Sequence, residues 1–106
     1  MNYNEMTDFE INKAVAAACL GEWYDNGTCV IKCDDDDRSI FQPSNSWADA
    51  GPIIEKNRIS IEFDGDDAAQ WCHTISCEGL YGIEYQSNPL RAAMITFLLM
   101  QEAANE

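Results

Sequence analysis

The feature that most constrains the fold is the apolar segment near the end of the chain. Residues 90–99 contain one arginine and one threonine, and all the others are apolar. Asn88 is a favourable N-cap and Pro89 suits the first helical position, so a helix begins here. A helix that is apolar on most sides has to be covered on most sides. The helix is therefore either central within its own domain or shared between a sheet and a second subunit.

Two further helices are predicted upstream. Thr7 and Glu10 have the spacing of a capping box, which predicts a helix over residues 8–20. A shorter helix lies in the middle of the chain, where either Ser46 or Asp49 is the N-cap. With the first cap a proline lies inside the helix and removes one hydrogen bond, whereas with the second it falls in the first turn.

Four segments have the composition or the alternation of strands: residues 28–33, 58–63, 70–76 and 80–85. Strands so close in sequence pair most easily as antiparallel neighbours. We therefore predict a single α+β domain over residues 1–106, with three helices packed on a small antiparallel sheet of three to four strands.

The last two predicted strands place aromatic side chains on defined faces, because successive strand residues point to opposite sides. In the third strand one face is formed by Trp71, His73 and Ile75. In the fourth strand the alternation predicts a shared face for Tyr81, Ile83 and Tyr85.

The chain is strongly acidic. There are 19 acidic and 6 basic residues, giving a net charge of −13. The acidic run of residues 34–37 is predicted to be an exposed loop, because adjacent carboxylates repel each other. Such a surface disfavours direct binding of DNA or RNA. It is either a solvated surface that keeps the protein soluble or a mimic of nucleic-acid charge.

The sequence favours an intracellular protein. No apolar run reaches the roughly 18 residues that a membrane-spanning helix needs, and the first residues lack the pattern of a secretory signal peptide. Five cysteines are present, and this odd number favours reduced thiols over a disulfide framework.

The residues do not form a recognisable catalytic or metal-binding motif. Cys29 and Cys33 lie on one strand, too far apart for a zinc knuckle, and Cys72 and His73 point to opposite faces of another. Cys77 lies just beyond, but reduced cysteine is more often a small apolar filler. We predict no catalytic residues, no metal site and no cofactor.

Three residues are candidates for binding a ligand. Arg91 lies in the first turn of the last helix, where the helix dipole disfavours a cation. It either pairs with a carboxylate or anchors an anionic ligand. Trp47 and Trp71 either line a pocket or belong to the core.

Several stretches resemble the NinX-type proteins of tailed bacteriophages and prophages. After Tyr3, the matching stretches are residues 8–13, 41–43, 47–54, 57–60, 88–95 and 97–98. The most specific one reads Asn-Pro-Leu-Arg-Ala-Ala-Met-Ile. The resemblance implies a small phage accessory protein that has a layered α/β arrangement and works in the bacterial cytoplasm, and it implies no activity.

Our main hypothesis is a non-enzymatic binding protein that acts on a host or phage protein, with contacts from the last helix and the aromatic residues. The last helix could also form a homodimer. One alternative is a small-ligand sequestering protein of phage counter-defence, with a pocket near Trp47 and Arg91. Another is an acidic nucleic-acid mimic. An enzyme is the least favoured reading.

Overall fold

The computed structural model describes residues 2–105 of the chain. A single turn of 3-10 helix precedes three α-helices and six strands. The elements in chain order are α1 (Asp8–Cys19), β1 (Trp23–Asp25), β2 (Val30–Asp34), β3 (Asp37–Phe41), α2 (Trp47–Lys56), β4 (Ile59–Gly65), β5 (Gln70–Ser76), β6 (Gly82–Gln86) and α3 (Pro89–Ala104).

The α+β class, the three helices and the antiparallel pairing are confirmed, whereas the single sheet of three to four strands is found only in part. The strands form two antiparallel three-stranded sheets, which we call the N-terminal sheet (β1-β2-β3) and the C-terminal sheet (β4-β5-β6). The acidic run, predicted as a loop, forms a hairpin in which Asp34 pairs with Asp37. This turn is possible because Asp35 adopts a left-handed conformation (φ 55°), which aspartate tolerates better than most residues.

The last helix lies at the centre of the domain. Every residue from Ala92 to Leu98 is buried, because α3 packs against all three strands of the C-terminal sheet and against α1 and α2. The chain thus covers most of the apolar surface of its own helix. Leu99 and Met100 remain half-buried, and a homodimer through this helix stays a prediction that light scattering would test.

A pair of buried hydroxyls joins α3 to the C-terminal sheet. Thr74 on β5 and Thr96 on α3 share a hydrogen bond of 2.7 Å between their Oγ1 atoms. Thr74 also donates to the carbonyl oxygen of Ala92 at 3.1 Å. Because both hydroxyls find partners, their burial does not leave a polar atom unsatisfied.

Capping residues fix where the helices begin. Thr7 and Glu10 form the predicted capping box at α1, and Asn88 caps α3, which begins with a proline. The two readings of α2 are now decided, because Ser46 is the N-cap and Pro52 lies inside the helix.

The N-terminal sheet meets the core through a pair of apolar residues. Val30 and Phe41 are direct cross-strand partners and are both buried. On the opposite face Tyr24, Ile31 and Ile40 form a row across the three strands. No helix within residues 2–105 is both long and apolar enough to span a membrane.

Candidate functional site

The outer face of the C-terminal sheet brings together aromatic and acidic side chains. Along β5 the buried residues Cys72, Thr74 and Ser76 face α3 and alternate with residues that point outward. The register pairs β4 with β5 so that the outward residues become direct neighbours across the strands. We define the aromatic face by six outward side chains: Glu62, Asp64, Trp71, His73, Ile75 and Tyr85.

Tyr85 reaches this face through an irregularity that the alternation did not predict. A register shift interrupts the pairing of β5 with β6 between Cys72 and Thr74, and Tyr85 adopts a left-handed conformation with φ 56°. Ile83 packs against the core, whereas the Tyr85 ring contacts the outward residue His73. The predicted shared face of Ile83 and Tyr85 was therefore wrong, because a bulge re-aims the side chains that follow it.

The three rings form a compact cluster. The Tyr85 ring lies edge-on to His73 with centroids 5.0 Å apart, and it is tilted against Trp71 at 5.9 Å. Both distances are within the range of favourable aromatic pairs. Trp71 Nε1 is buried and has no acceptor among the described residues, so an unmet hydrogen-bond donor lies within the cluster.

A hydrogen bond from the backbone indicates which ring nitrogen of His73 carries the proton. The backbone N–H of Tyr85 donates to His73 Nδ1 at 3.1 Å, so Nδ1 is unprotonated. In the neutral ring the proton is then on Nε2, which lies 3.9 Å from a carboxylate oxygen of Asp64. The bond from Tyr85 therefore ties the ring orientation to the bulge.

The aromatic face also contains the one group of three metal-ligating side chains found among residues 2–105, namely Glu62, Asp64 and His73. Their ligand atoms lie within 4.8 Å of one another. A metal on Nε2 would require the proton to move to Nδ1 and would break the bond from Tyr85. Carboxylates beside ring faces suit an organic cation such as a guanidinium or ammonium group without that cost.

The aromatic face lies in the most one-sidedly acidic part of the chain. From Ile59 to Asn88 there are six carboxylates and neither lysine nor arginine. An open groove of about 770 Å³ crosses the face and is lined by His73, Leu80 and Tyr85 among others. Leu80 is 72% exposed and Tyr85 70%. The groove thus combines exposed apolar surface with uncompensated negative charge.

The three residues proposed from sequence lie on three different elements. Trp71 belongs to the aromatic face, and Trp47 is an exposed residue at the start of α2. Arg91 pairs with Asp8 at 2.6 Å and donates to the backbone carbonyls of residues 3, 4 and 6. Its guanidinium therefore fastens the N-terminal segment to α3, which is the ion-pair alternative given above.

The cysteines do not form a metal site in the part of the chain described, since none belongs to a group of three ligating side chains. Cys29 and Cys33 are half-buried in or beside β2, and Cys72 is buried on β5. Burial raises the pKa of the Cys72 thiol, so this group is a poor nucleophile at neutral pH.

Sequence reasoning missed Glu62, Asp64 and Tyr85 as members of the site. The outward direction of Glu62 was readable from the alternation in β4, but its partner across the strands depends on the register. For Tyr85 the sequence carries no signal, because a left-handed conformation at a tyrosine is rare. Such outliers often occur at functional positions.

A protein-family model matches nearly the whole chain. The family model described as "Bacteriophage P22, NinX" matches residues 2–101. A search of curated proteins found no match. The resemblance noted in the sequence is therefore confirmed, and the chain belongs to the NinX family of bacteriophage P22.

Proposed function

We propose that this phage accessory protein is a non-enzymatic binding protein whose aromatic face docks a basic segment of a host or phage protein. One observation carries the proposal. Exposed aromatic and aliphatic side chains lie among six carboxylates in a stretch without lysine or arginine. A partner that covers this face has to bring apolar groups and positive charge together.

The apolar part supplies the affinity. Ile75, Leu80 and Tyr85 are all exposed, and the Tyr85 ring contacts the neighbouring rings of Trp71 and His73. Exposed apolar patches rimmed by polar groups mark interaction sites, and buried tyrosine and tryptophan anchors dominate the energies of interfaces. The bulge at Tyr85 holds one such anchor in place before the partner arrives, which lowers the entropic cost of binding.

The acidic part selects the partner. A lysine or arginine of the partner would lie against the Tyr85 ring and pair with Glu62 or Asp64. No cation of the C-terminal sheet competes for these carboxylates, because strands β4–β6 contain no lysine or arginine. A pure mimic of nucleic-acid charge would need the carboxylates alone. The apolar side chains between them favour a protein surface that is both basic and apolar.

Site-specific photo-crosslinking would test this proposal. A benzophenone amino acid replaces Tyr85 in one variant and Ile40, on the outer face of the N-terminal sheet, in the other. Each variant is expressed in the bacterial host during phage infection. We expect a defined protein to crosslink from position 85 and not from position 40. The captured protein is then purified, and its binding to the unmodified chain is measured by calorimetry.

Three matched variants decide whether the aromatic face is responsible. Ile75→Asp and Glu62→Lys should weaken binding by about tenfold or more, because they place charge in the apolar patch or reverse the charge at its rim. Ile40→Asp changes a similarly exposed isoleucine of the other sheet and should leave the affinity unchanged. Equal binding by Ile75→Asp, loss of binding with Ile40→Asp, or the absence of a crosslink from position 85 would each contradict the proposal.

A further inference from the structure

A second concave site lies on the other side of the domain, away from the aromatic face. It is formed where the end of α1, the length of α2 and the middle of α3 meet strands β2 and β3. The cavity has a volume of about 470 Å³, which lies within the range of small-molecule sites in proteins. We call it the three-helix pocket.

The floor of the three-helix pocket is apolar. Phe41, Ile53 and Phe97 line it and are each at least nine-tenths buried. Leu20 adds a half-buried aliphatic wall at the end of α1. Two aromatic rings and two aliphatic side chains from four elements provide a surface for an apolar body, since ligand sites are lined mainly by such residues.

The rim of the pocket carries positive charge. The chain has three lysines, and two of them, Lys32 and Lys56, line this one cavity. The single carboxylate that lines it is Asp49, so the pocket has a local charge of +1 (two lysines minus one aspartate) in a chain of net charge −13. Concentrating scarce cations in one place raises the local attraction for an anion.

The two lysines differ in how they are held. Lys32 lies 3.7 Å from Asp49, and Asp49 also accepts the backbone N–H of Gln42 at 2.9 Å. Lys56 forms no ion pair within residues 2–105. It lies in the last turn of α2, where the helix dipole favours a cation. One ammonium group is therefore positioned and the other is free to bind.

Polar side chains that line the same cavity complete the rim. Asn57 donates through Nδ2 to the carbonyl of Ile53 at 2.8 Å, which orients its amide and leaves the side-chain oxygen as an acceptor. Gln101 on α3 adds a second amide. A few fixed polar groups around an apolar floor give a site its orientation and specificity.

We propose that the three-helix pocket binds a small organic anion, whose apolar or aromatic body covers Phe41, Ile53 and Phe97. Its carboxylate or phosphate is bound by Lys56 and Lys32. This site shares no residue with the aromatic face, so it does not depend on the docking function proposed above. The chain then has two recognition surfaces of opposite charge, one for a basic protein and one for a small anion.

A nuclear magnetic resonance titration of the ¹⁵N-labelled chain tests the charge requirement. The probes are 1-naphthoate and naphthyl phosphate, each added beside the uncharged 1-naphthalenemethanol. We expect the anions to shift the backbone amides of the pocket residues and to bind at least about tenfold more tightly than the alcohol, because the alcohol lacks the charge-assisted contacts. If neither anion shifts these amides, or if the alcohol binds as tightly, the proposal is wrong.

Two neutralising variants test the assignment to lysines. Lys56→Gln should weaken naphthoate binding by about tenfold, since it removes the unpaired ammonium and keeps a polar side chain that is only one atom shorter. Lys13→Gln is the matched control. Lys13 pairs with Asp25 at 3.5 Å and lies outside the pocket, so its neutralisation should leave the affinity unchanged. An unchanged affinity in Lys56→Gln, or an equal loss in both variants, would overturn the proposal.

Discussion

The two sheets of this protein have the same number of strands and the same antiparallel pairing but different relations to the core. Each has three antiparallel strands in sequential order. The C-terminal sheet lies directly on α3, and its inner residues include the polar Thr74 and Ser76. The N-terminal sheet meets the core through Val30 and Phe41. The C-terminal sheet is thus held against the core over a broad area that includes hydrogen bonds. The N-terminal sheet is held by a few apolar anchors.

The two sheets also differ in charge. The N-terminal sheet carries both signs, since Lys32 and Arg38 accompany its aspartates, whereas the C-terminal sheet has carboxylates alone. Both outer faces expose apolar residues, including Ile40 on one and Ile75 on the other. Apolar exposure alone therefore does not distinguish a docking face, and the charge around it indicates what kind of partner it fits.

The largest effect should come from the buried aromatic anchor of the N-terminal sheet. Phe41→Ala should lower the free energy of unfolding by about 3–5 kcal/mol, because it removes a buried ring and leaves a cavity. Phe63→Ala, in the other sheet, removes a ring that is 68% exposed and should change stability by less than about 1 kcal/mol. Urea denaturation of both variants gives the comparison. Similar losses in the two would mean that the sheets do not differ in this way.

A second prediction concerns the reactivity of thiols on the two sheets. Cys72 faces α3 and is 2% exposed, and burial raises its pKa, whereas Cys33 on β2 is half-buried. Iodoacetamide at neutral pH should therefore modify Cys33 about a hundredfold faster than Cys72, as peptide mass spectrometry would measure. Raising the pH should speed the reaction of Cys72, because its raised pKa keeps the thiol protonated at neutral pH. In urea the two rates should converge.

The hydroxyl pair beneath the C-terminal sheet should contribute a smaller amount. Thr96→Val removes one partner of the 2.7 Å hydrogen bond to Thr74 and should cost about 1–2 kcal/mol. In the double variant Thr74→Val/Thr96→Val no hydroxyl is left without its partner, so the loss should be less than the sum of the two single losses. Additive losses in thermal unfolding would show that the two hydroxyls act independently.

The smallest effect concerns the left-handed residue that each sheet contains. Asp35→Gly should be more stable than Asp35→Asn by about 0.5 kcal/mol, because glycine adopts a positive φ without steric cost and the net charge is the same in both. Tyr85→Gly gains the same relief but loses ring contacts with His73 and Trp71, so it should show no net gain over the unmodified chain. A clear stabilisation by Tyr85→Gly in chemical denaturation would mean that the ring cluster contributes nothing.

Local patterns were sufficient for most of the individual elements. Thr7 with Glu10 and Asn88 with Pro89 fixed two helix starts, because caps satisfy backbone groups within one turn. The range of β5 was predicted as residues 70–76 and found there. The division into two sheets was not predicted, because β1 and β3 are short and the acidic turn between β2 and β3 was read as a loop. Pairing between strands depends on partners that no local pattern names.

The candidate site could be predicted only in part. The period of two residues in a strand predicted that Trp71 and His73 share one face of β5 and that their chain neighbours lie on the other. Which of the two faces would meet α3 could not be read from β5 itself, because its buried residues include a cysteine, a threonine and a serine. These small residues are buried because α3 lies close above them and Thr96 shares a hydrogen bond with Thr74.

The sequence by itself determined the helices, the acidic character and the family of this protein, because these follow from residue types, local capping and ordered motifs. The tertiary structure decided what the helices and strands bring together. It placed Arg91 against Asp8, gathered Lys32 and Lys56 at one pocket, and turned Tyr85 outward beside His73. These juxtapositions join residues that are distant in the chain or displaced by a bulge, so only packing and strand register could fix them.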